Sequence, residues 1–189
     1  MSEFNIPEPQ IIPYFDHGTN IGQTIRNSSS RRNMNPLKFT LRKIRNIILF
    51  RIGYMSPFNS QRVRCNRKRG VNIGSNVYIG QFCNIDNAYP EYVFIGDNVS
   101  IAGEVTILAH ANPYPHFKGI VDSKVVPIVI KDGAWIGVKS ALIAGASVGE
   151  CSIVSAGSVV TSKMADYSMI IGNPAKVMYN FKDSFGDSK

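Results

Sequence analysis

The chain has 189 residues, 44% of them apolar and 18% charged, with 16 Gly and 10 Pro. That is one domain's length with apolar content enough for a core, which excludes wholesale disorder and low-complexity composition. The net charge of +8 is unevenly placed: residues 1–72 hold 13 Lys/Arg against 3 Asp/Glu, whereas residues 73–189 hold 8 against 10. Basicity therefore belongs to the first third. No recognised nucleic-acid-binding module surrounds these charges, so no nucleic-acid partner is expected. The longest apolar runs, such as Ile47–Phe50, are far too short to span a bilayer. The opening MSEFNIPEPQ lacks a basic segment followed by an apolar one, so no secretory signal is expected. Cys65, Cys83 and Cys151 are odd in number and at no metal-ligand spacing. Reduced thiols, a cytoplasmic location and no metal are the expectation.

Residues 1–36 carry Pro7, Pro9, Pro13 and Pro36 with the run Asn27–Ser30, and read as an extended arm. Residues 37–52 place Leu37, Leu41, Ile44, Ile48 and Ile52 on one helical face, with Arg42, Lys43, Arg45 and Arg51 interspersed. This predicts a basic amphipathic helix. Its apolar face either caps the open end of the domain that follows or makes a peripheral contact with an anionic membrane. Arg62, Arg64, Arg67, Lys68 and Arg69 form a second basic cluster in the linker completing 37–72.

From Ile73 the chain repeats every six residues. The hexads start at 73, 79 and 85, then 95, 101 and 107, then 130, 136, 142, 148, 154 and 160, each on Ile, Leu or Val. The fifth position is Val, Ala, Ser or Cys in ten of the twelve; Tyr89 and Met164 depart. Period two fails, so alternating strands of a sandwich are excluded. The pattern predicts a three-sided parallel β-coil over 73–171, four turns high, with aliphatics inward and the small fifth residue where the coil narrows. The insertion 110–127, with Pro113, Pro115, Pro127, Tyr114, Phe117 and Lys118, cannot belong to the prism. A loop of this kind on a rigid scaffold carries specificity, or covers a sheet edge against association, or both.

The hexads, the insertion after His110 and the ending SAGSVVTSKMADYSMIIGNPAKV (155–177) resemble the hexapeptide-repeat acyltransferases over about residues 37–180. VTILAHA (105–111) followed by IKDGAWIG (130–137) is similar to the sugar and exopolysaccharide O-acetyltransferases of the colanic-acid and maltose/galactoside type. The resemblance implies an all-β fold, a left-handed parallel β-helix, with a short C-terminal helix in 172–189. It implies acetyl-CoA as acyl donor, a homotrimer and transfer of acetyl to a sugar hydroxyl in surface or exopolysaccharide synthesis. His110 occupies the family's catalytic position, a general base that takes the acceptor proton in a ternary complex while a backbone N–H steadies the oxyanion.

By the same resemblance Trp135 walls the active site. Val138, Ala156, Thr161, Lys163 and Lys176 meet the coenzyme, Lys176 as a charge for its phosphates. Val138 departs from the family's usual small or polar residue, which puts a side-chain contact there in doubt. Asn84, Asp86 and His116 are acceptor-side candidates, although Asn and Asp at a hexad corner also form turns. Zinc carbonic anhydrases carry hexads too, but need three His. This chain has His17, His110 and His116 alone, and His17 lies outside the repeat. Three readings stay open beside sugar O-acetylation: N-acetylation of an amino sugar, xenobiotic acetylation, and a β-helical scaffold without catalysis.

Overall fold

A computed structural model describes residues 4–14 and 20–185. The first strand, β1 (Gln10–Ile11), precedes three helices: α1 (Ile21–Arg31), α2 (Pro36–Met55) and α3 (Asn59–Arg69). The sequence sets their ends. Asn20 caps α1 and Asn35 caps α2, each side chain accepting a backbone N–H at 2.8 Å. Pro36 occupies the first turn of α2 and Pro57 follows its end. Gly70, at φ 112°, closes α3 in the left-handed conformation.

The hexads then form a coil with three parallel faces. Face one stacks β2 (Asn72–Ile73), β5 (Val93–Ile95), β10 (Ile128–Ile130) and β13 (Ser147–Val148). Face two stacks β3 (Tyr78–Ile79), β6 (Ser100–Ile101), β11 (Trp135–Ile136), β14 (Ile153–Val154) and β16 (Ser168–Gly172). Face three stacks β4 (Asn84–Ile85), β7 (Thr106–Leu108), β12 (Ala141–Ile143) and β15 (Val159–Val160). The register pairs Ile73 with Ile95, Ile79 with Ile101 and Ile85 with Ile107, and continues upward in step. Every hexad's first residue thus lies in a column of like residues inside the prism. Ile95, Ile101, Ile107, Ile136, Leu142, Val148, Val154 and Val160 are fully buried. The predicted four turns and inward aliphatics are present.

Four expectations are corrected. The chain is not all-β, because three helices precede the coil. The arm 1–36 is not simply extended: it holds β1 and α1. The linker after residue 52 contains α3, and α3 rather than α2 packs on the open first turn, with Val63 in the shared core. Last, Ala175–Asn180 is no helix. It forms β17, which folds back antiparallel on β16 and pairs Lys176 with Ile171. The alternation after Pro174 was too short to separate helix from strand by period.

The face of α2 turned inward carries Phe39, Asn46 and Gly53. Leu37, Leu41, Ile44, Ile48 and Ile52, for which capping the prism was one of two alternatives, point away from it and are exposed. Arginine does part of the capping instead. Arg69 is buried and donates to the carbonyls of Ile85 (2.8 Å) and Asp86 (2.7 Å) and to Asn66 Oδ1 (2.7 Å). Burial lowers its pKa to about 10, against the opposing charge of Asp86, and it stays cationic at neutral pH. Replacing Arg69 by Met is expected to lower unfolding free energy by about 2 kcal/mol, because two buried carbonyls lose their donor. Urea unfolding monitored by circular dichroism checks it.

Candidate functional site

His110 stands where the chain leaves the coil. Face three ends at Leu108, Ala109 stays buried, and His110 begins β8 (His110–Ala111), which pairs antiparallel with β9 (Lys124–Val125). The insertion therefore doubles back on its own chain. One turn of the coil below, the Ile85–Ile107 register carries Asp86 to the same corner. Asp86 Oδ2 lies 2.6 Å from His110 Nδ1. The carboxylate is completely buried, while the imidazole keeps 28% of its side-chain surface exposed.

Asp86 is held on all sides. Its Oδ1 accepts N–H from Ala88 (2.8 Å) and Tyr89 (2.9 Å), and its Oδ2 accepts N–H from Ala109 (2.9 Å). Burial alone would raise its pKa. The hydrogen bond and charge of His110 and the backbone N–H groups outweigh that, and the pKa falls below the ordinary 3.8. An ionised carboxylate only accepts, so Nδ1 carries the proton and Nε2 presents its lone pair. This corrects the expectation for Asp86. A buried side chain cannot touch an acceptor, and Asp86 instead fixes the orientation and tautomer of His110.

A cavity of about 470 Å³ opens beside His110. Its walls include Pro13 and Tyr14 of the arm, Thr24 and Arg31 of α1, Lys43 of α2, and Tyr89. The arm is tied to the insertion: Tyr14 Oη donates to Val121 O (3.0 Å), and Ser123 Oγ donates to Pro13 O (3.0 Å). β1 also pairs with β9. Tyr89, a departure from the small fifth position, has its ring 5.5 Å from that of His110 and lies under the Arg32 guanidinium at 4.6 Å. Its bulk builds the wall. Burial, then the charge of Arg32, lowers the pKa of Lys43.

The other candidates are dispersed. Asn84 is half-buried on the outer side of face three beside Thr106. His116 is exposed and packs against Tyr114 and Phe117, at 6.0 and 4.2 Å between rings. Trp135, 54% exposed, lies on face two between Ser100 and Ile153. None of the three lines the cavity. Val138 and Ala156 share the corner between faces two and three, where Gly157 N–H donates to Val138 O (2.9 Å). Gly137 is required there, since a Cβ would stand 2.6 Å from Ala156 N. Gly157, whose Cβ position is open, and the exposed Val138 and Ala156 leave an accessible strip of backbone. Exposed Lys176 lies on β17 just beyond. Such a strip beside a cation suits an extended amide-bearing chain ending in phosphates. Thr161 and Lys163 lie at the opposite edge of face three, where Lys163 bridges to Ser147. His17 falls outside the described residues.

Sequence reasoning missed the Asp86 contact and the walls supplied by α1 and the arm. The coil register brings Asp86 one turn below Leu108, two residues short of His110, so it narrows the contact to that corner without specifying it. No comparable signal existed for the arm.

No family model matches the chain. It is 26% identical over 140 residues to "Putative acetyltransferase YvoF" of Bacillus subtilis, covering 74% of this chain and 78% of that one. It is 32% identical over 115 residues to galactoside O-acetyltransferase of Escherichia coli, covering 58% of this chain and 57% of the enzyme. The chain thus spans little more than half the length of that enzyme. In structure it superposes on a hexapeptide-repeat-containing acetyltransferase of Vibrio cholerae, solved with acetyl coenzyme A, at a TM-score of 0.64 and 21% identity, covering 77% of this chain and 90% of that one. The chain is therefore similar in sequence to acetyltransferases and has the hexapeptide-repeat acetyltransferase fold.

Proposed function

We propose that the protein is an acetyl-CoA-dependent O-acetyltransferase acting on a sugar hydroxyl in surface or exopolysaccharide synthesis, built as a homotrimer of left-handed coils. The observation that carries this reading is the His110–Asp86 pair on a hexapeptide coil, with the imidazole beside a polar cavity. Similarity to galactoside O-acetyltransferase supports the sugar acceptor. The acceptor enters the cavity, and His110 Nε2 takes its hydroxyl proton as the oxygen attacks. Asp86 holds the imidazolium that results. Acetyl-CoA supplies the activated acetyl group as a thioester. Val138, Ala156 and Lys176 would hold it along their corner, and Trp135 would wall the same side.

That corner and His110 lie at opposite edges of face three in one chain. In our reading the site is completed between chains, with His110 of one meeting the donor corner of another. Thr161 and Lys163 stand on the His110 edge and belong to that contact.

Calorimetric titration with acetyl-CoA, followed by turnover on a panel of sugars, tests the reaction. Saturable binding near one site per chain and acetate ester formation are expected. A folded protein that neither binds acetyl-CoA nor acetylates any sugar would end the proposal. Shared sites have their own test. His110→Ala and Ala156→Trp chains, each inactive alone, are expected to recover about a quarter of wild-type activity when unfolded and reassembled together at equal amounts, because random mixing joins an intact His edge to an intact donor corner at that frequency. No recovery would place the whole site in one chain.

A further inference from the structure

The outer face of α2 is an apolar stripe that nothing among the described residues covers. Leu37 is 68% exposed, Ile44 51%, Ile48 53% and Met55 68%, with Leu41 and Ile52 between them. These positions lie opposite Phe39, Asn46 and Gly53, the residues α2 buries. Apolar side chains of this size are normally sheltered from water, and a continuous row of them marks a contact surface.

The charge beside the stripe is of one sign. No Asp or Glu occurs between Asp16 and Asp86, and residues 36–69 hold ten Lys and Arg. Arg62 and Arg69 are buried, and Arg42 pairs with Glu91 (3.4 Å). Lys38, Arg45, Arg51, Arg64 and Lys68 are exposed, and none has an acidic partner among the described residues.

We propose that the α2 face, Leu37–Met55 with its flanking cations, seats the protein on an anionic lipid surface, the helix lying in the plane of the headgroups. An apolar row with cations on its flanks is the arrangement an interfacial helix needs. The row enters the acyl boundary, and the long Lys and Arg stems reach back to phosphate. No helix among the described residues is long and apolar enough to cross a membrane, so α2 lies on the bilayer rather than through it. A second copy of the chain is the competing occupant. The 4–3–4 spacing of Leu37, Leu41, Ile44 and Ile48 would suit a helix seam. But pairing α2 with itself would bring two cationic flanks together with no acid on α2 or α3 to neutralise them. Lys43 of the same helix lines the His110 cavity, so a seated α2 brings that cavity close to the membrane surface.

The test is co-sedimentation of the full chain with phosphatidylcholine vesicles and with vesicles that also contain phosphatidylglycerol. Binding is expected to the anionic vesicles alone and to weaken as salt is raised. Ile44→Ser with Ile48→Ser is expected to reduce it at least about tenfold, with helicity and native mass unchanged. Lys38→Glu with Arg51→Glu does the same through charge. No binding to anionic vesicles overturns the proposal, as does full binding by the Ser variant. A Ser variant whose native mass falls overturns it too, because the face then joins copies of the chain. Neither readout uses acetyl transfer, so failure here leaves the proposed reaction standing, and the reverse.

Discussion

His110→Ala is expected to lower turnover at least about 100-fold while acetyl-CoA affinity stays nearly unchanged, the usual effect of removing a general base. The imidazole faces the cavity, and in our reading the donor is held by the Val138–Ala156 corner and Lys176 rather than by His110, so its loss should act on proton transfer rather than on donor binding. Steady-state kinetics with calorimetry on the same sample separate the two. Truncation also strips the buried Asp86 of its partner, and an uncompensated buried carboxylate destabilises a protein. His110→Gln serves as a second variant, since its amide donates to Asp86 yet is not a base at neutral pH. Both variants should lose turnover to a similar degree. Turnover retained in a folded Gln variant would remove His110 from the chemistry.

The coil was legible because its cause is local. A three-sided coil places one residue in six at the same inward point, so the aliphatic at each hexad start is demanded by geometry and visible as a period. That register places Asp86 one turn below Leu108, at the corner from which His110 leaves the coil, but it does not specify the Asp86–His110 contact, and Asp86 taken alone resembles a turn former. The rest of the site depends on contacts far apart in sequence. Tyr14 reaches Val121, and Arg32 reaches Tyr89 and Glu91, and no periodicity announces such pairs. The orientation of α2 is open in the sequence for a related reason. Its apolar pattern fits a cap on the coil as well as an outward-facing contact surface. The actual packing turns Phe39, Asn46 and Gly53 inward, and Gly53 admits α3 so closely that a Cβ there would stand 3.1 Å from Cys65 Cβ. Phe39 apart, those contacts rest on small or polar residues that a hydrophobic pattern does not weigh.

Asp86→Asn separates orientation from charge. Two backbone N–H groups point at Oδ1, from Ala88 and Tyr89, so the oxygen of an Asn side chain settles there. Its NH₂ then faces His110 Nδ1 and the N–H of Ala109. The NH₂ can only donate, so it selects the imidazole tautomer with its proton on Nε2. The lone pair that should receive the acceptor's proton is then on the wrong nitrogen. Turnover is expected to fall by between about 10² and 10⁴, the scale on which a carboxylate's loss is felt by a base it orients. Acetyl-CoA binding should stay nearly unchanged, which a merely unfolded variant would not show. Ala109 N–H loses its acceptor, so stability near neutral pH should drop by about 1–3 kcal/mol. The acid side shows the opposite trend. Asp86 has a lowered pKa in the folded protein, so its contribution is complete above the ordinary 3.8 and disappears as pH falls through the folded value. The wild type should lose that increment in acid, and the Asn variant, which never had it, should show a flatter stability profile below about pH 4. Denaturant unfolding across that range measures the slope, and identical slopes in the two proteins would show that the carboxylate is not held ionised by His110.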